Sequence, residues 1–207
     1  MVQGYGLTPA IEDVLYQALE TESALAEIYR TAQQAALREN LVAEWEEYLK
    51  ETLLHQEVLL NILHELGMDP QHQTASRRMV RYIGDALLAV MDKSRLSGDA
   101  ELAQLVATEC VMLAERKDYA NWEMIGFIAS KEQGEIANLL QKAYDAVEED
   151  QNRHLFQTQG WKRELWMASL GYPAMIPPPQ EISAAESARI SARTRSIREK
   201  LLALRSH

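Results

Sequence analysis

Cysteine, proline and glycine are all scarce in this sequence. Its 207 residues include one cysteine, six prolines and nine glycines. The single thiol, Cys110, excludes an intramolecular disulfide and any zinc or iron–sulfur site that is built from cysteines. Proline and glycine are the residues that interrupt helices, and the apolar fraction is 47%. The composition therefore predicts a helical globular protein with a substantial apolar core.

Basic residues are also in the minority. The 21 Lys and Arg residues face 31 Asp and Glu residues, which gives a formal charge of −10. Because nucleic-acid binding needs a concentrated basic surface, we expect no nucleic-acid partner. No uncharged run approaches the ~20 residues that cross a bilayer. We also see no signal peptide, because no basic start is followed by an apolar run. We expect a cytoplasmic protein that has no membrane partner.

Helical spacing of apolar side chains, interrupted by helix-breaking residues, divides the chain into long segments. Four long helices are predicted, with a further amphipathic helix in the connection between the second and the third. Their approximate ranges are Thr8 to Asn40, Leu41 to Gly67, Arg77 to Leu96 (in the connection), Ala100 to Ser130 and Glu135 to Leu170. Two antiparallel helix pairs joined by one long crossover are the ferritin-like form of the four-helix bundle.

The motif "IPPPQ" marks the end of the packed region, since three consecutive prolines cannot continue a helix. We therefore assign residues 1–173 to the four-helix bundle and residues 174–207 to a proline-containing linker and a C-terminal helix. This last helix, roughly Ile182 to Leu204, has only a thin apolar stripe. Such a stripe is typical of an outer or partner-docking helix.

Carboxylates and imidazoles lie on the apolar stripes of the long helices. In the first and third helices, an inward Glu precedes an aromatic residue by seven positions, and in the second and fourth an acid precedes an inward His by four. The candidate metal ligands are Glu22, Glu51, His55, Glu115, Asp118, Asp150 and His154. The two halves of the chain thus repeat one order, an inward Glu followed by an acid/His pair.

These residues together indicate a metal site. An ionised carboxylate that is buried alone is costly, so it must be paired, protonated or bound to a cation. Several carboxylates and two neutral imidazoles that converge inside one bundle would repel one another unless cations lie among them. Oxygen and imidazole donors suit Fe(II), Mn(II) or Zn(II). We expect two metal ions that share bridging carboxylates. Iron is the metal we favour, and manganese is the second choice.

Four stretches of the sequence resemble the rubrerythrin and bacterioferritin branches of the ferritin-like superfamily. They are "ESALAEIY", "HQEVLLNILHELG", "AERKDYANW" and "DQNRH". Carried over by position, the resemblance implies metal ligands at Glu22, His55, Glu115 and/or Asp118, and His154, with Tyr29 as a partner of a ligand. It implies a peroxidase, oxidase or oxygenase that acts on dioxygen or hydrogen peroxide. We expect a homo-oligomer (a dimer) and, because no four-cysteine module is present, either a separate electron donor or a dismutation.

One feature of the family pattern is missing. The family has a carboxylate three residues before each ligating His, and here those positions hold Thr52 and Gln151. The acids Glu51 and Asp150 stand four residues before the histidines, and a shift of one residue rotates a side chain by ~100° around a helix. Either the site is re-formed with altered geometry, or one or both bridging ligands are lost.

A different class of function also stays open. The two histidines can be hydrogen-bonded core residues, and Glu51 and Asp150 can be solvated residues on the flanks of charged helices. The protein would then be a non-catalytic, metal-storage or stress-related ferritin-like protein that binds metal weakly or not at all.

Overall fold

Every regular element that the structure describes is a helix. The computed structural model describes residues 7–178 of the chain. The helices are α1 Pro9–Ala35, α2 Glu39–Glu65, α3 Ala75–Arg95, α4 Ala100–Ala129 and α5 Gly134–Ser169. The prediction of an all-helical chain with a helical crossover is confirmed over this range, and the predicted C-terminal helix lies outside the described residues. No helix within residues 7–178 is both long and apolar enough to cross a membrane.

Side chains that the sequence places just before the helices fix where three of them begin. Thr74 Oγ1 accepts a hydrogen bond from the Arg77 amide at 3.0 Å, and Asp99 Oδ1 accepts one from the Leu102 amide at 2.9 Å. Thr8 has the same role at α1, where Pro9 needs no amide partner. These caps satisfy amides that the first turn of a helix leaves unpaired.

The helices pack as two antiparallel pairs with the crossover helix on the outside. α1 lies against α2, α3 and α4, α4 lies against α5, and α2 and α5 make far fewer contacts with each other. α1 and α4 run in opposite directions. Tyr29 of α1 contacts Glu115 of α4, whereas Glu22, two turns earlier in α1, contacts Trp122, two turns later in α4. Four helices therefore enclose one interior, and α3 covers α1 and α4 from outside.

The apolar core is divided into two clusters. One cluster, which contains Leu25, Trp45 and Trp161, fills one end of the bundle. The other, which contains Leu15 and Ile125, fills the opposite end. Buried polar side chains form a layer between the two clusters. The position of this layer follows from the sequence, because each helix carries its inward polar residue near its middle.

A buried ion pair holds the crossover helix α3 against α1. Arg77 and Glu20 are 6% and 7% exposed, and Arg77 Nε donates to Glu20 Oε2 at 2.7 Å. Arg81 Nε donates to the other oxygen, Oε1, at 2.7 Å. Burial alone would raise the pKa of Glu20, but the hydrogen bonds from Arg81 and Arg77 outweigh it and lower that pKa. The carboxylate is therefore ionised and pairs both guanidinium groups.

We expect Glu20→Gln to lower the free energy of unfolding at pH 7 by about 3 kcal/mol, because it leaves the Arg77 charge buried without its partner. The contribution of Glu20 is present above its ordinary pKa of 4.5 and is lost as the pH falls through the lower pKa of the folded state. The difference between the two proteins should therefore shrink in acid. Urea denaturation at several pH values measures it.

The matched control is Glu27→Gln, which breaks an ion pair with Arg30 on the surface of the same helix. It should cost less than about 1 kcal/mol, as exposed pairs do. Equal costs for the two variants would contradict the assigned role of Glu20.

Candidate metal centre

Five of the seven predicted ligands meet in the buried polar layer. Each of these side chains is 2% exposed or less, and they are Glu22, His55, Glu115, Asp118 and His154. The remaining two, Glu51 and Asp150, lie at the rim, with side chains that are 18% and 29% exposed. The structure thus brings all seven together but in two layers, an inner one and an outer one.

Glu22, His55 and Asp118 form the tightest part of the inner layer. One ligand atom from each lies within 4.8 Å of the others. His55 Nδ1 is 3.3 Å from Glu22 Oε1, which also accepts a hydrogen bond from Trp122 Nε1 at 2.8 Å. Glu22 Oε2 and Asp118 Oδ1 are buried and have no hydrogen-bond partner. Two carboxylate oxygens therefore lie in the buried layer without a hydrogen-bond donor.

Glu115 and His154 form a second, looser part of the inner layer. His154 Nδ1 lies 3.8 Å from Glu115 Oε1, which accepts a hydrogen bond from the hydroxyl of Tyr29. Glu115 Oε2 is another buried oxygen without a partner. The ring of Tyr48 stacks on His154 with centroids 4.0 Å apart. The two imidazole rings are 6.0 Å apart, so the two parts of the layer are neighbours.

The outer layer pairs each acid with the histidine of the facing helix. Glu51 on α2 lies 2.6 Å from Nε2 of His154 on α5, and Asp150 on α5 lies 3.4 Å from Nε2 of His55 on α2. Arg153 donates hydrogen bonds to both acids: one to Glu51, and one to Asp150 Oδ1 at 3.0 Å. Because a carboxylate only accepts, each Nε2 must carry the proton. If a cation replaced the proton between Nδ1 and the inner acids, the neutral tautomer would direct the lone pair of Nδ1 inward, as a metal ligand requires.

The carboxyl groups of the two layers differ in their tendency to stay ionised. At the rim, the hydrogen bond from His55 lowers the pKa of Asp150. Burial would raise the pKa of Glu51, but hydrogen bonds from His154 and Arg153 outweigh burial and lower it. Inside, burial raises the pKa of Glu115 and of Asp118, and neighbouring carboxylates raise that of Asp118 further. The interior therefore needs positive charge to keep its acids ionised.

Without a metal, protons supply that positive charge. Burial disfavours the imidazolium form of His55, but the hydrogen bonds to Asp150 and Glu22 outweigh burial and raise its pKa to about 10. The same atoms can hold a cation in place of the proton. A proton-filled interior and a metal-filled interior are thus the two ways to balance these charges.

Neutral side chains fill the two positions three residues before His55 and His154. Thr52 is fully buried and its hydroxyl oxygen has no hydrogen-bond partner. Gln151 is 2% exposed, and its Nε2 donates to Asp118 Oδ2 at 2.6 Å and lies 3.3 Å from His55 Nδ1. Both side chains point into the inner layer, so this layer has no carboxylate from α2 or α5.

The donor set fits a divalent metal ion. Carboxylate oxygens and imidazole nitrogens suit iron, manganese or zinc. Three unpartnered buried oxygens, on Glu22, Glu115 and Asp118, are the atoms that a cation would satisfy. The part with Glu22, His55 and Asp118 offers three side chains, whereas Glu115 and His154 offer two. A divalent metal ion would therefore bind more tightly at Glu22, His55 and Asp118.

Two residues of the site were missed from the sequence. Tyr48 shares the stripe of His55, but only the tertiary structure shows that it stacks on His154 of the facing helix. Arg153 was given no role from the sequence, although it directly precedes His154 and follows Asp150 by three residues. No protein-family model, no curated protein and no solved structure matches this chain. Metal binding is therefore inferred from the geometry of these side chains.

Proposed function

We propose that this chain is a metal-dependent redox protein whose principal metal site is formed by Glu22, His55 and Asp118. The observation that carries the proposal is the set of buried carboxylate oxygens without a donor, at the centre of a bundle and beside inward-facing imidazole nitrogens. Such oxygens are costly unless a cation binds them. The helix order and the long crossover support a ferritin-like bundle as the scaffold.

The two metal positions are unequal in this proposal. Glu22, His55 and Asp118 hold the tighter ion, and Glu115 with His154 holds a weaker second one. The neutral side chains of Thr52 and Gln151 stand where bridging carboxylates would neutralise a second divalent ion. Glu51 and Asp150 act from outside, by fixing the proton on Nε2 of each imidazole. Their direct ligation stays a prediction from the sequence.

The protein's own side chains prepare the site for redox chemistry. Trp122 and Tyr29 each hold one carboxylate oxygen in place, so that the second oxygen of Glu22 and of Glu115 is directed into the site. The two apolar clusters exclude water on either side. A bound iron or manganese ion would supply electrons to dioxygen or hydrogen peroxide. Since the chain has one cysteine, a separate protein would return the electrons, unless the reaction is a dismutation.

A structural protein without metal is the second candidate. The hydrogen bond from Gln151 to Asp118 and the raised pKa of His55 favour it, because together they balance part of the buried charge with protons and an amide. Metal titration separates the two functions.

We expect protein purified without chelator to retain iron or manganese, and metal-free protein to bind Fe(II) or Mn(II) with one tight site per chain. Asp118→Asn removes one ligand charge at constant shape and should weaken this site by at least about 100-fold. Elemental analysis and anaerobic calorimetry measure both. Glu44→Gln is the control, because Glu44 is a half-buried acid that accepts from Trp161 and Tyr48, away from the three ligands. Equal affinities in the two variants would exclude the principal site.

Restoring the two missing acids should strengthen the second site. We expect the double variant Thr52→Glu/Gln151→Glu to bind two metal ions per chain with similar affinity. Without metal it should be less stable than the parent, because two more carboxylates are buried. At a metal concentration of 100 times Kd, binding should return about 2.7 kcal/mol. Gln159→Glu, which makes the same change at an exposed position of α5, is the control and should show no second tight site.

Redox activity should depend on the metal and not only on the fold. We expect protein loaded with iron to consume hydrogen peroxide or dioxygen when an electron donor is supplied. Protein loaded with zinc should bind the metal at the same residues and stay inactive, since zinc has no redox chemistry. An oxygen electrode and a peroxide assay measure both. If the iron form were no faster than free iron at the same concentration, the metal would have a storage or structural role.

A further inference from the structure

The chain reverses after α5 and runs back along that helix toward the metal centre. The Met175 amide donates to Glu164 Oε2 at 2.8 Å, and Gln157 Nε2 donates to the Pro178 carbonyl at 3.5 Å. Ile176 packs against the core cluster that contains Trp161. The segment thus moves about two helical turns back along α5. It ends one turn from Arg153 and points along the line where α2 and α5 meet.

The surface on that line is open and acidic. We call it the seam surface and define it by Glu47, Glu51, Leu54 and Val58 of α2 with Asp150 and Arg153 of α5. These residues form neighbouring stripes on two helices that contact each other sparsely. Leu54 is 58% exposed and Glu47 is also exposed. Three acids face one arginine there, so the seam surface has an excess of negative charge and an uncovered apolar side chain.

The residues that follow Pro178 have the opposite charge. Residues 179–207 contain six Lys and Arg residues and three Glu residues, a formal charge of +3 in a chain whose total is −10. Their apolar side chains include Ile190, Ile197 and Leu201. A segment with both basic and apolar residues complements a surface with both acids and an exposed leucine.

We propose that residues 179–207 dock on the seam surface and cover the outer layer of the polar centre. From Gln157 to Val147, the seam surface extends about 15 Å along α5, at 1.5 Å per residue. The 29 residues from 179 to 207 are long enough to cover this distance in any conformation. Docking within one chain has an effective concentration in the millimolar range for a short connection. This inference does not depend on the presence of a metal.

A second copy of the protein is a poorer occupant of this surface. A symmetric contact would place the seam surface of one copy against the same surface of the other. Like charges would then face each other, which is unfavourable. The adjoining basic segment has no such conflict.

Chemical labelling tests the docking in the full-length chain. A cysteine is introduced by Leu54→Cys in a Cys110→Ala background, and its rate of alkylation is compared with that of a cysteine introduced by Tyr82→Cys. Tyr82 is 71% exposed on α3, on the other side of the bundle. If residues 179–207 cover Leu54, its cysteine should react about tenfold more slowly at low salt. High salt should remove most of the difference, since charge attraction is screened.

Charge reversal identifies the covering segment. The pair Arg193→Glu/Arg195→Glu should restore the alkylation rate, whereas Arg78→Glu/Lys93→Glu, the same change on exposed positions of α3, should leave it slow. Equal rates at positions 54 and 82 in the parent would overturn the proposal. So would protection that grows with protein concentration, because it would show a second copy on the surface. Protection that survives the charge reversal of Arg193 and Arg195 would equally count against it.

Discussion

The burial of acidic side chains that each have only one oxygen paired with a donor is the constraint on which the rest of the structure depends. Glu22, Glu115 and Asp118 are completely or almost completely buried on α1 and α4, and each has one oxygen without a partner. Loss of hydration makes such groups expensive in their ionised form. The bundle compensates with hydrogen bonds from Trp122, Tyr29 and Gln151, one to each acid. These three donors satisfy one oxygen of each carboxylate. The other oxygen of each carboxylate is available to bind a cation.

The rotation of about 100° between successive helix positions explains why two layers form. A residue three positions before His55 or His154 points inward, and Thr52 and Gln151 are accordingly buried. A residue four positions before points to the rim, where it meets the histidine of the facing helix. A single-residue shift thus changes a ligand position into one that orients an imidazole. Arg153 pairs with both rim acids and offsets part of their charge.

The all-helical fold and much of the site could be predicted from the sequence, for a local reason. Thr8, Gly67 and the spacing of apolar residues define helices by interactions within a few residues, and the five helices predicted within residues 7–178 are present. Inward-facing Glu22, His55 and His154 follow from the same periodicity. The cross-pairing of Glu51 with His154 depends on the register between two helices, which no local pattern encodes. The stacking of Tyr48 on His154 and the contacts of Arg153 depend on that register as well.

Side chains and helices cover much of the polar layer. On the side of α1 and α4, Trp122 and Tyr29 fill the space beside the carboxylates, and α3 covers both helices. The remaining approach runs between α2 and α5, where Arg153 bridges Glu51 and Asp150 above the imidazoles. Under the proposed redox function, dioxygen or hydrogen peroxide would enter there without separating this ion pair. A bulky organic substrate would have to separate the pair, and the uncompensated charges would oppose its entry. Under the proposed redox function, the rim that orients the imidazoles would therefore also favour small oxidants.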